Sequence, residues 1–169
     1  AYDGKFEGGR PAPVKTLDAR THVMELSHGP TCAFKDMALQ LLPRLMVASK
    51  RKLGDNRRVC ILAATSGDTG KAALEGFRDV EGTQCVVFYP HDGVSPTQRL
   101  QMVTQRGNNV DVVAVRGNFD DTQRGVKRIF GDAEAKARVE AMGCELSSAN
   151  SINWGRLAPQ IAYYFSAYA

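Results

Sequence analysis

No two of the four cysteines in this 169-residue chain stand in C-x-x-C spacing, and there are only three histidines. Cys32, Cys60, Cys85 and Cys144 lack the close-set pairs of a structural zinc site. Three of them fall in expected strands and the fourth beside a lysine, which predicts reduced, mostly buried thiols rather than a disulfide framework. His22, His28 and His91 are equally scattered, and only folding could bring two of them together around a metal. Structural histidine is the default expectation, with His28 supporting the turn that follows it.

There is no apolar run long enough to span a bilayer and no secretory signal pattern, so a soluble, cytoplasmic protein without membrane contact is expected. Nor does the net charge of +4 point to nucleic acid. The basic run at 50–58 has no interleaved aromatic residues and reads as a solvated helix end. Two phosphate-binding fingerprints, G-x-x-x-x-G-K-[ST] and G-x-G-x-x-G, are absent as well.

What is present suits one domain, because 43% hydrophobic residues over this length are enough for a core. Residues 1–21 are rich in glycine, proline and charge and read as an arm or linker. A short strand is expected at 23–26 and a helix at 36–52, ending near Gly54 and kinked or broken by Pro43. Short apolar runs at 59–64, 85–89 and 110–115 suit buried parallel strands, with 144–148 a weaker fourth. Helical spacing recurs at 69–79, 95–106, 120–130 and 132–142. Such alternation predicts an α/β fold over 22–157: three layers, with a mostly parallel four-stranded sheet and helices on both faces. Residues 158–169 read as a C-terminal helix in which Pro159 is tolerable only in the first turn. Its Ile161, Tyr163, Tyr164, Phe165 and Tyr168 need a partner surface.

Three stretches carry possible chemistry. In the first, His28 to Asp36, Gly29 and Pro30 mark a turn, Thr31 can cap backbone donors, and Lys35 lands on the first turn of a helix. A helix start disfavours a cation, and Cys32, Ala33 and Phe34 can form a dry wall; both effects would depress the amine's pKa. The plain alternative is a solvated surface lysine. In the second, a strand runs into Ser66, Gly67, Asp68, Thr69 and Gly70, whose small residues and free N–H groups suit a carboxylate or phosphate, unless the glycines serve packing only. In the third, Asn150, Ser151 and Arg156 offer amide, hydroxyl and guanidinium donors to a phosphate, or else cap a helix beside an exposed arginine.

The segments H-G-P-T-C-A-F-K-D at 28–36, A-T-S-G-D-T-G at 64–70, Y-P-H-D-G-V-S-P at 89–96 and N-S-I-N-W-G-R-L at 150–157 resemble, in order and spacing, the threonine synthases. These are pyridoxal-phosphate enzymes of the tryptophan synthase β-subunit structural family, fold type II. The resemblance implies that Lys35 holds pyridoxal 5'-phosphate, with Phe34 beside it and Asp68 near its ring oxygen. Asparagine is common at that last position in the wider family, so Asp68 is similar to the bacterial and fungal type. The resemblance further implies that Ser66, Gly67, Asp68, Thr69 and Gly70 bind the substrate carboxylate. Asn150, Ser151 and Arg156 would then hold the phosphate of O-phospho-L-homoserine, which reacts with water to give L-threonine and phosphate. By the same resemblance the chain is a fragment, the smaller domain, inactive without the larger C-terminal domain of the same enzyme. Two other readings stay open: a phospho-lyase acting on a related substrate, and a non-catalytic phosphate-binding α/β module in which Lys35 is dispensable.

Overall fold

The computed structural model describes residues 1–168. The segment expected as an arm is tied down from its start: Phe6 is buried and meets Tyr2 edge to face, and the Tyr2 hydroxyl donates to the Met37 carbonyl at 2.6 Å. β1 (Val14–Thr16) then pairs antiparallel with β2 (His22–Met24) in a small separate hairpin.

The helix expected at 36–52 is broken, as Pro43 requires, into α1 (Asp36–Leu39) and α2 (Leu42–Leu53). Proline sits in the first turn of α2, where its missing N–H has no intrahelical partner to lose. Gly54, at φ 68, ends α2 in the left-handed conformation that an L side chain resists, and its N–H bonds back to Arg51.

Four parallel strands follow: β3 (Arg58–Ala64), β4 (Thr83–Pro90), β5 (Val110–Val115) and β6 (Cys144–Ser147), in the order β5-β4-β3-β6. Between them run α3 (Asp68–Phe77), α4 (Pro96–Val103), α5 (Phe119–Gly131) and α6 (Ala133–Ala141). Strand alternation sorts the two faces. Val59, Ile61, Ala63, Cys85, Val87 and Tyr89 pack with Leu39, Leu42, Leu74, Phe77 and Met102. Cys60, Leu62, Ala64, Val86 and Phe88 face Val126, Ile129 and Phe130 of α5. The sheet is thus covered on both sides, the expected three layers.

After β6 come α7 (Trp154–Leu157), a 3-10 turn at Ala158–Gln160 holding Pro159, and α8 (Ile161–Tyr168). The single helix expected from 158 to 169 is therefore two pieces, with Ala169 outside the described residues. Tyr163 is buried and Tyr164, Phe165 and Tyr168 are exposed. All four cysteines are free; Cys85 and Cys144 are buried, whereas Cys32 is exposed, contrary to the dry wall expected around it. No described helix is long and apolar enough to cross a membrane.

One contact sets how close α3 can lie to α1. A Cβ built on Gly76 overlaps the carbonyl oxygen of Leu39. In a free helix Gly76→Ala would gain about 1 kcal/mol of propensity, but here backbone must move, and we expect a net loss of about 2 kcal/mol. Urea unfolding measures the sign, and a stabilised Gly76→Ala variant would show that the two helices have room to spare.

Candidate active site

Lys35 precedes α1 in helical conformation, half-buried, with Nζ 4.0 Å from the centroid of the Phe34 ring. Burial holds its amine below the ordinary lysine range; Asp68 pulls the other way, and the charges of Arg156 and Lys71 reinforce the burial. The helix start contributes less than expected, because α1 is a single turn and its dipole is correspondingly small.

The turn that presents Lys35 is organised by Asp36 rather than by Thr31. The buried Asp36 carboxylate accepts from the Thr31 N–H at 2.9 Å, the Thr31 hydroxyl at 2.6 Å and the Ala33 N–H at 3.4 Å. Thr31 is a donor to the cap, not the cap itself. Cys32 takes a left-handed φ of 55, and Gly29 leaves no room for a side chain against Asp36. His28 does brace the turn: its Nε2 lies 2.9 Å from Glu25, and its carbonyl accepts from the Glu7 N–H. Behind it, the Tyr163 hydroxyl donates to the Phe34 carbonyl at 2.8 Å, and burial pushes that phenol up to about 12.

At the carboxyl end of β3 the buried Thr65 accepts from the N–H groups of Gly67 and Gly70, both at 2.9 Å. Two of the donors expected to face a ligand are therefore spent on shaping the loop. The N–H groups of Ser66, Asp68 and Thr69 have no acceptor among the described residues. Gly70 is required by packing, since a Cβ there would meet Thr65, Val87 and Met102. Asp68 receives the Gln98 side-chain amide at 3.0 Å, and the nearly buried Lys71 lies 3.6 Å from the same oxygen.

The third stretch divides. Arg156, on α7, is buried, its Nε has no partner among the described residues, and burial pushes its guanidinium below the usual range. It is not the exposed arginine of the alternative reading, and its charge reaches Lys35. Asn150 instead donates to the Ala64 carbonyl at 3.1 Å, tying the loop after β6 to the end of β3. Asn150 and Ser151 line a cavity of about 440 Å³ with Val126, Lys127 and Phe130 of α5. Helix capping here falls to Asn153, whose side chain accepts from Gly155.

The charges of Asp68, Lys71 and Arg156 all act on the Lys35 amine, Lys71 lies 3.6 Å from Asp68, and the free N–H groups of Asp68 and Thr69 open α3. A buried arginine with an orphaned donor, two lysines and free N–H groups are the chemistry that favours an anion. Lys71, Thr65 and Gln98 were not singled out from the sequence. Lys71 stands one helical turn after Asp68, the only local signal available, whereas Gln98 is 30 positions away and reaches Asp68 only through the fold.

No family model matches the chain. It is 46% identical to a threonine synthase of Pseudomonas aeruginosa over 97% of its own length and 34% of that protein. It is 41% identical to human threonine synthase-like 1, over 99% of the chain and 23% of the relative. Among solved structures, a pyridoxal-phosphate-bound threonine synthase from Brucella melitensis superposes with a TM-score of 0.85 at 43% identity, covering 97% of this chain and 34% of that one. Together with the parallel sheet and the Lys35, Asp68 and Arg156 cluster, these likenesses make the chain a homologue of the threonine synthases along nearly its whole length, spanning about a third of theirs.

Proposed function

We propose that this chain is the lysine-bearing smaller domain, residues 22–157 with flanking segments, of a threonine synthase that converts O-phospho-L-homoserine and water to L-threonine and phosphate. The observation that carries the reading is the cluster itself: an amine kept below its ordinary pKa beside a buried guanidinium whose Nε lacks an acceptor. Lys35, Phe34 and Asp68 fit pyridoxal 5'-phosphate, which when bound supplies an electron sink for proton removal beside an amino-bearing carbon. A larger C-terminal domain of the same enzyme would supply the remaining wall.

The Nζ of Lys35 is the base and acid that takes protons from, and returns them to, the substrate carbons. The free N–H groups of Ser66, Asp68 and Thr69 hold the substrate carboxylate, in a loop kept in shape by Gly67 and Gly70. Arg156 holds the substrate phosphate; Asn150 positions the loop that ends near Arg156, and Ser151 extends the polar rim. Two anion anchors on opposite ends of a short substrate leave its reacting carbons one orientation over Lys35.

Full-length protein supplied with pyridoxal phosphate and O-phospho-L-homoserine should release phosphate and L-threonine in equal amounts, read by phosphate assay and amino-acid chromatography. Phosphate without threonine would replace this reading with a phospho-lyase. Release of neither, with anion binding retained in Lys35→Ala, would replace it with a non-catalytic module.

A further inference from the structure

The Gln98 side chain is oriented at both ends. Its Oε1 accepts from the Ser95 N–H at 3.2 Å, one half of a capping box at the start of α4, and its Nε2 donates to Asp68 Oδ1 at 3.0 Å. The amide lies flat over Gly67, where a Cβ would overlap it, so the φ of 143 at that glycine and the position of Gln98 depend on each other. Lys71 Nζ approaches the same Asp68 oxygen from within α3 at 3.6 Å. Asp68 Oδ2 has no partner among the described residues.

We propose that Gln98 is a positioning residue: its amide locks the Asp68 carboxylate against Lys71 and holds that negative charge at a fixed remove from the Lys35 amine. The proposal rests on reading Lys35 as the reactive amine. Charged groups reach Lys35 from several elements, Asp68 and Lys71 from α3 and Arg156 from α7. Asp36 on α1 is the buried acid nearest in sequence, and Tyr163 on α8 bonds the Phe34 carbonyl. Of these, Asp68 alone among the groups acting on Lys35 is an anion, and it is half-exposed enough to swing. Released from Gln98, it can turn away from Lys71 toward Lys35, the amine its charge already acts on, and there favours the protonated form. A loop that must bind a carboxylate and keep a neutral lysine needs this anion restrained, and a neutral amide restrains it without adding charge.

The test is competitive acetic anhydride labelling of the chain across pH, with Lys35 read by peptide mass mapping and no cofactor present. Gln98→Met keeps the bulk over Gly67 and loses the donor. The expected result is a Lys35 labelling rate at neutral pH lowered about three- to tenfold, an upward shift of about half to one pH unit. The second variant, Gln98→Glu, preserves the capping box with Ser95 and repels Asp68, and shifts the profile the same way. In an Asp68→Asn background, Gln98→Met should change nothing, which a merely structural role for Gln98 would not predict. An unmoved or lowered profile in a folded Gln98 variant overturns the proposal. Failure of pyridoxal phosphate to mark Lys35 in the unaltered full-length protein would instead overturn the functional reading, leaving the Lys35 titration to stand by itself.

Discussion

On the proposed function, Lys35→Ala should abolish the pyridoxal phosphate adduct that borohydride fixes on this segment of the full-length protein, and should lower threonine formation by about 10²–10⁴. The size follows from asking one amine both to hold the cofactor and to move protons at the substrate carbons. Nothing nearby replaces it. Lys71 is the other amine in the cluster, but it is buried and held beside Asp68 at 3.6 Å. Absorbance titration, reduction and peptide mapping compare the two proteins directly. Equal labelling of the variant, spread over several lysines, would remove Lys35 from the mechanism, and transfer of the adduct to Lys71 would show that burial does not restrain the second amine.

Asp36→Ala is expected to cost about 3 kcal/mol in urea unfolding, because it strands the Thr31 and Ala33 N–H groups and the Thr31 hydroxyl in a buried turn. Lys35 then loses its frame, and cofactor labelling becomes unselective under conditions where the domain is still folded. The more informative variant is Asp36→Asn, read against pH. Burial raises the Asp36 carboxyl above its ordinary range, outweighing the three hydrogen bonds that favour the charge. The native state therefore binds the proton more tightly than the unfolded chain does. The parent's stability from this group is present below the ordinary carboxylate range and declines as pH rises through the folded pKa. Asp36→Asn lacks that decline, so its deficit relative to the parent should narrow between about pH 4 and neutrality. A deficit that widens over the same range would mean that the hydrogen bonds, not desolvation, dominate at this carboxylate.

Both variants act on a turn whose position is legible in the sequence and whose wiring is not. Lys35 stands out in sequence because Gly29 and Pro30 place it at a helix start. That Asp36 rather than Thr31 collects the backbone donors depends on the side chain folding back over Gly29, a reversal that spacing does not reveal. The same holds at the second loop. Small residues in sequence point to a loop with free N–H groups, but not to which of them are free: Thr65 takes those of Gly67 and Gly70 for the loop itself. At the third, Asn150, Ser151 and Arg156 were grouped by adjacency. Folding gives them different tasks, because Asn150 donates to the carbonyl of Ala64 while Arg156 on α7 is buried and its charge acts on Lys35.

What the sequence determined by itself was the alternation of strands and helices, and with it the parallel sheet, because buried strands and amphipathic helices leave local periodicities that need no partner to be read. The break at Pro43 and the stop at Gly54 belong to the same class, being consequences of a missing N–H and a missing Cβ. Only the tertiary structure decided the electrostatics of the site. Lys35, Asp68, Lys71, Gln98 and Arg156 come from four helices and their approaches, and the state of one amine depends on how deeply it is buried and which charges end up beside it. Desolvation and Coulomb interactions act across space, and the distances that set them exist only once the chain has folded.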